Sequence, residues 1–310
     1  MTAISFPKSL AVAAAGLAMF FSSELSLAQE NIATTRIIND IAYFQGEGAD
    51  AERHALNLVL PADGAPRATV LWIHGGAWAS GGREHEMGLA EALAREGIAV
   101  AVMSYRLSPG RWMSENLPDT GIQHPAHIED VARAFAWMWE NADAHGLDRD
   151  ALFVSGFSAG GHLSALLATD ERYLQAHDLT LDAVAGSIPV AGTYDVPHYY
   201  DVIHDGMGAD AARDHVIGVF GPREGHAAAS PITYLDALQA PMLILSEGQT
   251  GLYTDHFATL IDGHAASELI SFEHYPDDTH ASLYFNMIDP EVASPARQVM
   301  LDFIDGVLVR

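Results

Sequence analysis

Residues 151–169 read ALFVSGFSAGGHLSALLAT, and this stretch decides the fold. Residues 151–156 are a short apolar run of strand character, and 158–168 read as a helix. Between them lies Gly156-Phe157-Ser158-Ala159-Gly160, a Gly-x-Ser-x-Gly pentapeptide. A serine held between a buried strand and a helix sits on a tight turn that lifts its hydroxyl above the sheet edge. Small neighbours let the chain fold back on itself there. The helix that follows directs its N-terminal amides at that hydroxyl. The pentapeptide alone recurs by chance, and the strand–turn–helix setting gives it weight. Ser158 is the candidate nucleophile.

Some 80 residues earlier, the apolar run ATVLWI (68–73) leads into His74-Gly75-Gly76-Ala77-Trp78. Acyl transfer builds negative charge on a former carbonyl oxygen, which needs backbone N–H groups placed in advance. Ala159, directly after the serine, supplies one donor. The paired glycines let the backbone come close enough to supply another, assigned to Gly75 or Gly76 without a choice between them. The general base must be a late histidine, after the last strand. His280, in the polar loop of YPDDTHASLY just past the strand 269–275, fits that order, and His274 is its rival inside a strand pattern.

Further apolar runs at 54–61, 98–105, 183–192, 241–248 and 269–275 read as strands. They alternate with helical patterns at 84–96, 127–140 and 292–307, the last with an apolar side running from Val292 to Val307. Alternation of this kind implies βαβ units and a parallel sheet. The stretch 193–234 is less regular and reads as a lid-like insertion in a single domain spanning 29–310.

The chain carries 41 acidic and 15 basic residues, a net charge of −26, so nucleic acid is excluded as a partner because phosphate binding needs clustered Lys and Arg. Cysteine is absent, which removes disulfides, thiolate metal sites and Cys nucleophiles. His124 and His127 are three apart, but no compact ligand set accompanies them, and no metal is expected. Lys8, the apolar run 10–21 and Ser26-Leu27-Ala28 together read as an export signal over 1–28, with Gln29 opening a periplasmic or secreted chain. Twelve apolar residues are too few to span a bilayer, which takes about 20. Stable membrane insertion is therefore not expected, and nothing in the sequence speaks to oligomeric state.

WIHGGAW, HPAHIEDVARAFAWMWENA and VSGFSAGGHLSALLATD resemble the esterase and lipase branch of the α/β hydrolases that carries a His-Gly-Gly loop. That branch includes hormone-sensitive-lipase-like, feruloyl- and acetylxylan-type, and kynurenine-formamidase-like enzymes. The resemblance covers roughly 50–285 and is weak across 193–234. It implies an α/β fold with an eight-stranded, mostly parallel sheet, no cofactor, and hydrolysis of a small-molecule ester or amide through an acyl-enzyme. Relatives place an aspartate a few residues past the strand at 242–246, where this chain has Gln249. An amide accepts a hydrogen bond but carries no charge to stabilise an imidazolium. Glu247, at the end of that strand, is the first candidate for the missing acid, with Asp195, after the preceding strand, and Asp255, opening the next helix, as alternatives. Three functions follow: a carboxylesterase for small acyl or aryl esters, an arylformamidase, or a non-catalytic binding protein that keeps the fold.

Overall fold

A computed structural model describes residues 35–117 and 119–309, and the expected export signal over 1–28 lies outside them. Eight strands form one sheet: β1 (Arg36–Ala42), β2 (Ala55–Leu60), β3 (Ala68–Ile73), β4 (Ile98–Met103), β5 (Leu152–Phe157), β6 (Gly186–Val190), β7 (Met242–Glu247) and β8 (Ile270–Tyr275). Their spatial order is β1-β2-β4-β3-β5-β6-β7-β8. β2 runs antiparallel to β1 and β4, and all other pairs are parallel.

The helices of nine residues or more are α1 (Met87–Arg95), α2 (Ala126–Glu140), α3 (Ala159–Thr169), α4 (Val196–Met207), α5 (Gly251–Leu260), α6 (His280–Ile288) and α7 (Pro295–Leu308). They cover both faces of the sheet, which explains why the central strands read as unbroken apolar runs. Alternation along β3 sends Leu71 and Ile73 into one core with Ile128, Val131 and Phe135 of α2. Val70 and Trp72 enter the opposite core with Leu89 and Leu93 of α1 and with Met300 and Ile304 of α7. α3 is buried along its whole length, and its sequence is correspondingly apolar all round.

Four elements differ from the sequence reading. β1 was not anticipated: RIINDIA is mostly exposed on a sheet edge and bulges between Ile38 and Ile41, so it has no clean alternation. The last helix starts at Pro295 rather than 292, because Ser294 caps it, and Val292 lies outside it, exposed. His280 does not sit in a loop but is the first residue of α6, whose start is fixed by a reciprocal Thr279–Ser282 capping box. Asp255 does not open its helix, since α5 begins four residues earlier, at Gly251. Within 193–234, Asp195 caps α4. Short turns follow, and Val216, Val219, Phe220 and His226 are buried.

Burial lowers the pKa of three core histidines, His74, His127 and His162, to about 3. His162 donates from Nε2 to the Ala229 carbonyl at 2.7 Å, and His127 Nε2 meets the Ser108 hydroxyl at 2.9 Å. Unfolding exposes all three, so below their ordinary pKa of about 6.5 the unfolded chain takes up protons that the folded chain refuses. Their stabilising effect is complete above that pH and is lost as the pH falls toward about 3, at about 1.4 kcal/mol per pH unit for each histidine. Melting curves should show Tm dropping steadily from pH 7 to pH 5. A flat profile across that interval would show that these rings are not held neutral.

Candidate active site

The serine turn is built by close backbone approach. Ser158 lies between β5 and α3 with φ 56° and ψ −112°, a conformation that L-residues rarely adopt and that needs support from its surroundings. Its amide donates to the Val190 carbonyl of β6 at 2.8 Å. A Cβ on Gly160 would lie 2.0 Å from the Ile73 carbonyl oxygen, and one on Gly156 would lie 2.5 Å from the same oxygen. Both flanking glycines are therefore required by the space between β3, β5 and α3.

The glycine loop is shaped by where its carbonyls point. His74 is fully buried and stacks on Tyr105, with centroids 4.2 Å apart and planes 9° apart. Its Nδ1 lies 2.7 Å from the Gly75 carbonyl oxygen. A carbonyl only accepts, and burial keeps the ring neutral, so Nδ1 carries the proton. In a trans peptide the C=O and the next N–H point in opposite directions. Pinning the Gly75 carbonyl to His74 therefore turns the Gly76 N–H the other way. The Gly76 carbonyl in turn accepts from the amides of Ala79 and Ser80, both at 2.9 Å, and this turns the Ala77 N–H outward by the same argument.

Gly76 has φ 102°, and a Cβ there would lie 2.3 Å from the Ser80 carbonyl oxygen. Among the described residues, the amides of Gly75, Gly76, Ala77 and Ala159 have no acceptor within the protein. Of the two glycines offered by the sequence, Gly76 is the one whose amide the pinned Gly75 carbonyl turns outward. Gly75 provides clearance, its Cβ position being 3.3 Å from Ser158 Cβ. Ala77 was missed. Its sign is a positive φ of 51°, which no residue type announces in the sequence.

His280 faces the acid from the start of α6. Its Nδ1 lies 3.0 Å from Glu247 Oε1, and Glu247, the last residue of β7, is fully buried. The same carboxylate accepts from the amides of Gln249 and Thr250. Burial alone would raise its pKa, but the hydrogen bonds from His280, Gln249 and Thr250 outweigh that, and the net shift is downward. Gln249 does not address the imidazole ring. Its Oε1 accepts from the His280 backbone N–H at 2.9 Å, so acid and amide hold the ring and the backbone of one histidine.

The alternatives lie elsewhere. Asp195 Oδ2 bonds His256 Nε2 at 2.9 Å while its other oxygen caps α4, and Asp255 is exposed on α5. His274 Nδ1 meets the Ser246 hydroxyl at 2.9 Å, within the pairing of β7 and β8.

Two cavities meet at Ser158, and both are also lined by Ala77, Gln249 and His280. The smaller, about 240 Å³, is walled by Trp78, Thr193, Tyr199 and Tyr253. The larger, about 520 Å³, is walled by Phe157, Met113, Tyr284 and Phe285, with Glu86 at its side. Trp78 contacts the rings of Tyr199, His215 and Phe220, which fastens the 193–234 segment over the glycine loop. Trp112, which packs on His215, and Tyr200, which lies under Arg223, line neither cavity.

A mostly parallel eight-stranded sheet with a serine elbow and a late histidine defines an α/β hydrolase of the esterase and lipase branch. A family model, BD-FAE, matches residues 56–250, and the chain belongs to that family. Among curated relatives, Esterase LipQ of Mycobacterium tuberculosis is 30% identical over 262 residues, covering 78% of this chain and 56% of LipQ. Esterase LipC of the same organism is 36% identical over 139 residues, covering 42% of this chain and 31% of LipC. The chain thus spans between about a third and just over half of the length of these relatives. Esterase B from Lactobacillus rhamnosis has the same fold, with a TM-score of 0.69 and 24% identity over 89% of this chain and 86% of Esterase B.

The close approach at the elbow is directly testable. Gly160→Ala should lower unfolding stability by at least about 3 kcal/mol, the upper range for forced overpacking. Urea titration measures this, and a midpoint unchanged from the parent would mean that the helix can back away from β3.

Proposed function

We propose that this protein is a serine carboxylic-ester hydrolase acting on esters of small acyl or aryl groups. The observation that carries the reading is the Glu247–His280 bond at the junction of two cavities that Ser158 also lines. As Ser158 Oγ adds to the ester carbonyl, its proton passes to His280 Nε2. Glu247 holds Nδ1–H and stabilises the imidazolium. The anionic oxygen is met by the amides of Gly76, Ala77 and Ala159. Collapse of the intermediate expels the alcohol, which takes the proton from His280, and leaves an acyl group on Ser158. Water, deprotonated by His280, then releases the acid and restores the serine.

The esterase names of LipQ, LipC and Esterase B support ester hydrolysis as the chemistry. The cavity sizes support small substrates, since pockets for drug-sized ligands run from about 300 to 1,000 Å³. An amide at position 249 was the ground for a non-catalytic reading, and it loses its force where Glu247 already bonds the ring. The leader composition supports export, so the mature protein recovered from a periplasm or medium should begin at Gln29.

Release of p-nitrophenol from acetate and butyrate esters tests the reading. Ser158→Ala should abolish turnover and labelling by a fluorophosphonate. Glu247→Gln should lower kcat by about 10² to 10⁴, as loss of the charge behind a catalytic histidine does elsewhere. Asp195→Asn should leave kcat of the parent's order. A folded parent that resists the fluorophosphonate is a binding protein instead, and a large kcat/KM preference for N-formylkynurenine over phenyl esters makes it a formamidase.

A further inference from the structure

Four acidic side chains are buried: Glu86, Asp130, Asp170 and Glu247. Three of them have a basic partner. Asp130 is held by Arg106, Arg133 and His54 at 2.7–3.0 Å, Asp170 by Arg172 at 2.8 Å, and Glu247 by His280. Glu86, 2% exposed, has only neutral donors: Trp72 Nε1 at 3.0 Å on Oε2 and the Tyr284 hydroxyl at 2.9 Å on Oε1. Among the described residues no basic group forms an ion pair with it, and His85, on the same cavity wall, is exposed.

Burying a carboxylate without a counter-charge is unfavourable, and such groups normally acquire a cation or stay protonated. Burial raises the Glu86 pKa to about 7, with the Trp72 and Tyr284 bonds opposing it. Each oxygen accepts one hydrogen bond and has capacity for another. The group also lines the 520 Å³ cavity that reaches Ser158 and His280. Around it stand Phe157, Tyr284 and Phe285, whose ring faces attract cations. Phe285 is 62% exposed and Met113 44%, so the entrance has an apolar rim.

From this arrangement we propose that the larger cavity is a binding site for an alkylammonium group, with Glu86 as its specificity-determining residue and the aromatic walls holding the alkyl chain. The cavity adjoins Ser158, so the site selects esters that carry a protonated amine beyond the scissile bond. That consequence rests on the hydrolase reading, whereas the ammonium site itself does not. The net charge of −26 acts in the same direction, raising the local concentration of cations.

The test is equilibrium binding of hexylammonium and of 1-hexanol at pH 8, followed by NMR titration of the intact chain. The parent should bind hexylammonium about tenfold more tightly than the alcohol, the gain of a charged hydrogen bond over a neutral one. In Glu86→Gln that preference should disappear, while Glu86→Asp, which keeps the charge, should retain part of it. Thermal melts establish that the variants are folded. Equal affinity of the parent for the two probes overturns the proposal without any variant, and so does a preference that survives Glu86→Gln. Hydrolysis is read separately, as the kcat/KM ratio of 2-aminoethyl butyrate to butyl butyrate. A parent that binds hexylammonium through Glu86 but hydrolyses neither ester keeps the site and loses the hydrolase. One that hydrolyses both without preference, and shows no ammonium selectivity, keeps the hydrolase and loses the site.

Discussion

The Ile73 carbonyl at the end of β3 is the point around which the site is assembled. Gly156 and Gly160 both close on that oxygen, leaving no room for a side chain on either. The chain between them is thereby forced through the turn that puts Ser158 at φ 56°. Strain at one residue persists only when its surroundings over-determine it. Here the support is a ladder of backbone contacts, because β5 pairs with β3 on one side and with β6 on the other. The Ser158 amide, bonded to Val190 of β6, fixes the turn from that second side. Removing any of these three strands would release the serine.

The same economy governs the glycine loop. Nothing in it donates to Ser158. Instead its carbonyls are drawn inward, the Gly75 oxygen by His74 and the Gly76 oxygen by Ala79 and Ser80, and peptide planarity turns the following amides outward. His74 works only as a neutral ring with its proton on Nδ1. Its complete burial and its stacking on Tyr105 hold it in that form. A histidine that lines neither cavity thus sets the direction of the Gly76 amide. In the proposed reaction, donors fixed in this way are in place before charge develops and need no reorganisation.

The central strands were legible because burial on both faces writes itself as continuous apolar sequence, and the elbow because its glycines have no substitute. β1 was illegible for the opposite reason: an exposed, bulged edge strand has no sequence period to betray it. The start of α6 was masked by the polar residues that cap it, so His280 was read in a loop although the Thr279–Ser282 box marks a helix. Ala77 could not have been found from residue types, since its position depends on a φ of 51° imposed by the Gly76 turn. The partner of the His280 ring was harder still: Glu247 ends β7, Asp195 caps α4 and Asp255 lies inside α5, and only the folded chain brings Glu247 to the ring.

That path explains why a glutamine can stand at 249. A carboxylate at the end of β7 sits two residues earlier than one in the following loop. The extra methylene of glutamate over aspartate extends its reach to the ring. The loop then curls around the carboxylate, with the amides of Gln249 and Thr250 both donating to it. The Gln249 amide takes Oε2 and the Thr250 amide shares Oε1 with the His280 ring, and these bonds outweigh the cost of burial and hold the Glu247 carboxyl below its ordinary pKa. With Glu247 bonded to the ring from the strand, side chain 249 is free for another contact, and its oxygen takes the first amide of α6. Helix starts leave such amides without intrahelical partners, so the contact satisfies a group that needed an acceptor. Acid and amide therefore constrain the histidine at two points, ring and backbone.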